Sequence, residues 1–222
     1  MALAIEVKDD AAGLGIFVAY NMLEGVEVGP LEDDSYLREA AERIRSKYTL
    51  QKLREDPVVR AYRDFYWRIG IDPTKTRPSS EAMVRRVLRG GSFPRINNVV
   101  DAGNVASALT LVPIGLYDLD KVRGPMTLRL ARPGEIFHPI GGGEEVLEGG
   151  EPVLADEEEV LFLYPHRDSR KTMITSSTTK VVVLGAGVPG VEVPRVRKAV
   201  NLAVELIERF AGGHGGETKV SP

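Results

Sequence analysis

Two short apolar runs, Val160-Leu-Phe-Leu-Tyr164 and Lys180-Val-Val-Val-Leu184, constrain this chain more than any other feature. Each follows polar residues and ends at a proline or glycine, and each is rich in branched or aromatic side chains and strand-length, so each reads as a buried strand. A helix starting at Pro194 carries Val196, Ala199, Val200, Ala203, Leu206, Ile207 and Phe210 on one wide stripe, which must pack on the sheet those strands build. Periodicity therefore predicts an α+β fold, a largely antiparallel sheet system covered by helices from both ends of the chain. With 222 residues, 43% of them apolar, there is enough chain for one domain with a full core. No repeat or long linker divides it, so residues 1–212 are expected to form a single domain. The glycine-rich residues 213–222 are expected to be a disordered tail.

The N-terminal half reads as strands followed by helices. Residues 3–7 and 15–20 are expected strands, with Val26 and Val28 as an extension. A helix follows with Asp33 or Asp34 as its cap and Leu37, Ala40, Ala41, Ile44 and Tyr48 buried. Asp56-Pro57 opens another, because aspartate caps well and proline suits the first helical position. Its aromatics, Tyr62, Phe65, Tyr66 and Trp67, read as core or as a stacking platform for bases. A third helix, capped at Ser79 or Ser80, buries Met83, Val84, Val87 and Leu88 and turns Arg85, Arg86 and Arg89 outward. Those arginines either complement the helix C-terminus or grip phosphate.

Several functions are excluded or left without support. The absence of cysteine rules out disulfides, thiol nucleophiles and thiolate metal sites. Three histidines at unfamiliar spacing give no metal motif. Gly185-Ala-Gly-Val-Pro-Gly190 matches GxGxxG, but Pro189 sits in the turn and no later strand supplies a ribose-binding acid, so it reads as a flexible turn. No cofactor is expected. No run reaches the roughly 20 apolar residues of a membrane span, and because the start MALAIEVKDD turns acidic before any apolar run develops, no signal peptide is expected. A cytoplasmic protein with no membrane or DNA partner is the expectation. A formal net charge of −3 argues against general coating of nucleic acid, while the local cluster Arg85, Arg86, Arg89 and Arg95 is a candidate RNA contact.

The centre of the chain, Gly90 to Arg132, joins a polar turn to a helix beginning near Asp101 and ending at Pro113. A polar corner (Tyr117, Asp118, Asp120) then leads to the alternating strand Met126, Leu128, Leu130. Asp101 can cap that helix, yet it shares a face with Val105, Ala108, Leu109 and Val112, so it reads equally as a pocket-lining acid. The order Asn-x-x-Val-Asp-x-x-Asn, then Pro113-Ile-Gly-Leu-Tyr-Asp118 and Leu119-Asp120-Lys121, then Leu128-Arg-Leu-Ala131-x-x-Gly134-Glu135, resembles the B3/4 domain. That domain is the editing module of the β subunit of bacterial phenylalanyl-tRNA synthetase, and its free-standing relatives are the closer likeness. The resemblance spans about Tyr62 to Leu184. It implies a three-layer domain with a β-sandwich-like sheet system, to which residues 1–50 add strands and a helix.

The resemblance also implies a pocket for an aminoacyl ester, using Asn97, Asn98, Asp101, Asn104, Gly115, Arg167 and Thr178. The synthetase pattern Pro-x-His-Ala-x-Asp falls on Pro113 to Asp118, where Gly115 stands in place of the histidine, and no pocket glutamate can be placed within Arg167 to Leu184. Both departures argue against synthetase-type hydrolysis. From the residues alone, His166 and Asp168 lie in a polar loop between two buried strands and are the candidate catalytic pair. The same loop also reads as a self-bonded turn. His138 reads as structural and His214 as incidental. Three functions are expected to compete: binding of aminoacyl-tRNA with slow or no deacylation, binding of a small amino-acid-like molecule, and an unrelated enzyme built on the His166 loop. The Asn97–Asn104 and His166–Thr179 segments are expected to share one pocket.

Overall fold

A computed structural model describes residues 4–222; the first three residues, including the first position of the expected opening strand, lie outside the described residues. The N-terminal elements are β1 (Ile5–Val7), α1 (Asp9–Ala12), β2 (Phe17–Glu24), α2 (Ser35–Lys47), α3 (Leu50–Glu55), α4 (Pro57–Arg68) and α5 (Ser79–Leu88). The middle contributes α6 (Asn98–Thr110), β3 (Ile114–Asp118), β4 (Met126–Leu130), β5 (Ile136–Phe137), β6 (Glu145–Val146) and β7 (Pro152–Ala155). The remainder is β8 (Val160–Leu163), β9 (Arg167–Asp168), β10 (Lys180–Gly187), α7 (Val193–Ala211), β11 (His214–Gly215) and β12 (Lys219–Ser221).

The strands form two main sheets and a small hairpin. The first sheet runs β1-β4-β7-β8-β9, and the second runs β11-β2-β10-β3 with β12 also paired to β2. β10 is the spine of the second sheet, antiparallel to β2 from Lys180↔Glu24 to Gly187↔Phe17 and to β3 from Val181↔Asp118 to Gly185↔Ile114. Alternation assigns the faces. A Cβ on Gly185 would press on Val196 and Val200, and one on Gly103 would press on Leu116, so α7 and α6 cover one face of the second sheet. On the other face Tyr20 reaches the Ile5 amide of β1, and the Tyr117 ring lies 6.1 Å from that of Phe162 in β8. The result is a three-layer α+β fold, helices on one sheet and that sheet on another. The outer face of the first sheet carries a separate small core, in which Phe137 of the β5–β6 hairpin meets Val153, Val160 and Leu163.

Local signals explain most element ends. Asp56 accepts the Val58 amide at 2.9 Å with Pro57 beside it, as the sequence predicts for α4. Tyr62, Phe65 and Tyr66 are buried, whereas Trp67 is 57% exposed and belongs to the surface. β2 ends at Glu24, so the Val26–Val28 extension is a loop. α6 differs from expectation at both ends. Asn97, not Asp101, is its cap, and it stops at Thr110 because Leu111 adopts a left-handed φ of 65°. Ser80 Oγ donates to the Leu111 carbonyl and helps hold that turn. Between Pro113 and the expected polar corner the chain forms β3, which takes in Tyr117 and Asp118; the corner itself is a single turn over Leu119–Lys121, with Asp118 Oδ1 accepting the Asp120 amide at 3.1 Å. Residues 213–222, expected to be disordered, lie along β2, with Lys219↔Tyr20, Val220↔Ala19 and Ser221↔Val18 in register. Asn21 anchors them, its Nδ2 donating to the Gly216 carbonyl and to Thr218 Oγ1, both at 2.9 Å.

Candidate functional site

β3 sets the geometry, because its alternate residues look into different layers. Leu116 meets α6, while Gly115 and Tyr117 turn towards the first sheet. Asp168 is paired with Phe162 across β9 and β8, and therefore shares the face that Tyr117 covers. The Tyr117 hydroxyl faces the Asp168 carboxylate and acts on its ionisation as a hydrogen-bond donor does, yet by strict geometry Tyr117 Oη and Asp168 Oδ1 are both buried without a partner among the described residues. Thr172, whose carbonyl accepts the Asp118 amide at 2.8 Å, brings a third such atom, its Oγ1. His166 brings a fourth, Nδ1, with its ring 6.0 Å from that of Tyr66 in an edge-on arrangement.

Burial governs the protonation of this group. It pushes the Asp168 carboxyl up to about 6, with the Tyr117 hydroxyl acting in the opposite sense. Burial, reinforced by the neighbouring Arg167 charge, pushes His166 down to about 4, so its imidazole is neutral at physiological pH. Gly115 is held small by its neighbour. A Cβ there would fall well inside contact distance of the Tyr117 hydroxyl, which fills the space a longer side chain at position 115 would need.

The structure divides the sequence candidates into two groups. Asp168 and Gly115 meet Tyr117, whereas His166, two residues before Asp168, packs edge-on against Tyr66. Asn97, Asn98, Asp101 and Asn104 belong to α6, on the opposite face of the β3–β10 sheet, so the single pocket expected for both segments is not formed. Three of those four have structural partners. Asn97 Oδ1 accepts the Val100 amide at 2.9 Å. Asn98 accepts from the Gly29 and Val99 amides and donates to the Glu27 and Phe210 carbonyls. Asp101 is 1% exposed and accepts the Ile96 amide at 2.9 Å, with burial raising its carboxyl against the opposing pull of that amide and of Arg95.

Thr178 and Arg167 are also committed elsewhere. Thr178 Oγ1 donates to Asp118 Oδ2 at 2.8 Å and accepts the Thr175 amide. Arg167 turns outward, bonds Glu145 at 2.5 Å and lies over the Phe137 ring, so it secures the hairpin. Of the basic candidates, Arg85, Arg86 and Arg89 share one groove, while Arg95 lies in another hollow, donating to the Leu31 carbonyl near Asp34. Sequence reasoning missed Tyr117 and Thr172 as site residues. The signal for Tyr117 was the Gly115-x-Tyr117 spacing, a vacant position beside a bulky phenol on one strand face. Thr172 had none beyond its hydroxyl-rich surroundings.

The B3/4 domain matches residues 61–215, more than half of the chain and the whole of this arrangement. The chain belongs to the B3/4 domain family. Relatives of this B3/4 chain include the phenylalanine–tRNA ligase β subunit of Protochlamydia amoebophila, 28% identical over 144 residues, covering 64% of this chain and 18% of that protein. The Fusobacterium nucleatum β subunit is 30% identical over 145 residues, with 65% and 18% coverage. The chain thus spans under a fifth of the length of these relatives. An N-terminal fragment of the Pyrococcus horikoshii phenylalanyl-tRNA synthetase β subunit shares the fold at a TM-score of 0.52 and 17% identity, over 100% of this chain and 55% of that one. Among the described residues no helix is long and apolar enough to cross a membrane.

Proposed function

We propose that this B3/4 chain is an RNA-linked protein that binds an aminoacyl ester, as aminoacyl-tRNA presents it, between its two sheets, and hydrolyses it slowly or not at all. The observation that carries the reading is the packing at Gly115. The synthetase pattern has a histidine there, and here the Tyr117 hydroxyl occupies that space. An ester's α-ammonium suits the unpaired Asp168 Oδ1, and its carbonyl suits the Tyr117 and Thr172 hydroxyls as donors. Hydrolysis needs a base matched to the working pH and donors aimed at the developing oxyanion. His166, pushed down to about 4, is a weak base at neutral pH, and loss of one such contributor commonly costs about a hundredfold or more in rate. The relatives' names as tRNA ligase subunits support the RNA link.

The test is deacylation of tyrosine- and phenylalanine-charged tRNA by wild type, His166→Ala and Asp168→Asn. All three are expected to stay near the spontaneous rate of ester loss; rapid wild-type clearance overturns the reading. The alternative is a binder of free amino-acid-like molecules, since a free amino acid offers the same ammonium to Asp168. Calorimetry with tyrosine and tyrosine methyl ester separates the two: preference for the free acid favours the alternative.

A further inference from the structure

A second pair of unsatisfied polar groups, from Arg77 and Arg85, lies at α5 and the loop before it. Lys75 and Arg77, from the loop before the helix, join Arg85, Arg86 and Arg89 in lining a concave groove of about 590 Å³ whose lining includes no carboxylate. The helix dipole explains basic residues near the C-terminus of α5, but it disfavours cations arriving from the N-terminal side, as Lys75 and Arg77 do. Nor is the cluster a by-product of a basic chain, because the net charge is −3.

Local neutralisation is meagre. Glu81, which is fully buried, is the adjacent carboxylate, and Arg63 already holds it through both guanidinium and carboxylate pairs. Arg85 reaches it only at 3.7 Å. Nε of Arg77 and Nε of Arg85 are buried without partners among the described residues, while Arg86 Nε is spent on the Ser92 carbonyl at 2.7 Å. Arg85 and Arg89 are also like charges one helical turn apart, a spacing that destabilises an isolated helix. Burial lowers the Arg85 guanidinium against the opposing pull of Glu81, and Arg77, Arg89 and Arg63 add to the lowering. Such an arrangement is stabilised by anions that supply several acceptor oxygens at once.

We propose that this groove binds the phosphodiester backbone of single-stranded RNA, engaging several adjacent phosphates. An extended strand matches cations drawn from two separate segments better than one compact anion does. Behind the groove, burial and then the Glu81 charge raise the Tyr66 phenol, and Tyr66 lies edge-on to His166 and donates its hydroxyl to the Pro165 carbonyl at 3.5 Å. This deepens the RNA-linked reading by giving it a surface, and it rests on that reading for the choice of polyanion.

The experiment is fluorescence anisotropy with a short labelled RNA that carries no aminoacyl group, titrated at about 50 and 200 mM salt. With three phosphates engaged, affinity is expected to fall about 20-fold between those concentrations. Lys75→Gln combined with Arg89→Gln changes two exposed side chains without disturbing the core. The pair is expected to weaken binding at low salt at least tenfold and to reduce the salt slope by about 1.4. Lys198→Gln, exposed on α7, is expected to change neither. Wild-type affinity and slope in the double variant overturn the proposal, as does displacement of the RNA by inorganic tripolyphosphate at equal phosphate concentration. Because the RNA has no ester, RNA binding without ester binding keeps the groove and removes the inter-sheet reading. Ester binding without RNA binding does the reverse.

Discussion

The two faces of the β3–β10 sheet differ in how they treat several buried polar groups, although Asn21 Oδ1 on the helical face also lacks a partner among the described residues. On the helical face, Asn98 makes four hydrogen bonds, and Asn97 and Asp101 each accept a backbone amide. On the inter-sheet face, Tyr117 and Asp168 each keep an atom without a partner among the described residues, and His166 and Thr172 nearby in the chain do the same. Buried polar atoms ordinarily find partners, and each exception incurs desolvation without compensation. The first face is thus built for stability, and the second retains bonding capacity that a ligand can use. The contrast also shows why the asparagines make poor site residues despite their polarity: their capacity is already spent on the backbone.

The contrast predicts opposite signs for mutations on the two faces. Asn98→Ala should give the largest effect, a loss of about 3 kcal/mol or more in chemical denaturation, because it strands two amides and two carbonyls. A loss below 1 kcal/mol would mean that water or relaxation satisfies them.

Asp168→Asn should act the other way. A carboxyl raised in the fold binds its proton more tightly folded than unfolded, so its stabilising contribution is present below its ordinary value near 4 and is lost as pH rises through about 6. Above pH 7 the amide variant should therefore be the more stable, by about 2–3 kcal/mol at most. His166 has the reverse sign, since its pKa of about 4 in the fold makes stability rise as pH climbs from 4 towards 6.5. The two slopes oppose each other in the wild type between pH 4 and 6, giving a nearly level profile. Removing Asp168 should expose the rising histidine slope, and an unchanged profile would disprove the paired assignment.

Smaller effects sharpen the same comparison. Gly115→Ala should destabilise by about 1–2 kcal/mol through overpacking against the Tyr117 hydroxyl, and adding Tyr117→Phe should recover much of that loss. Failure of the second change to rescue the first would place the strain elsewhere. Thr172→Val should be neutral or slightly stabilising, by under about 1 kcal/mol, because it removes an unpaired hydroxyl. Clear destabilisation would reveal a bond that Oγ1 makes in solution.

What could be read from the sequence was what local physics decides. The stripe of α7, the Asp56-Pro57 start of α4, the buried strands and the three-layer fold implied by the B3/4 likeness all stand in the structure. Asp101 was harder, because Asn97 and Asp101 are both competent caps four residues apart, and only the position of the Ile96 amide decides between them. The supposed common pocket failed on a property no linear pattern carries. Asn104 and Asp168 are separated by a sheet whose strands come from residues far apart in the chain. Arg77 escaped notice because it precedes α5 and joins the arginines of that helix only when the loop folds back.

The attachment of the last ten residues has a consequence for aggregation and for sequence drift. Most of their hold on β2 is backbone pairing, which is indifferent to side-chain identity, whereas Asn21–Thr218–Asn201 is a chain of side-chain bonds that depends on particular residues. Thr218, by contrast, is tied to two distant asparagines. It also covers the outer edge of β2. Cleavage ahead of it would bare a long, largely buried strand, the kind of edge that recruits a neighbouring molecule into a shared sheet.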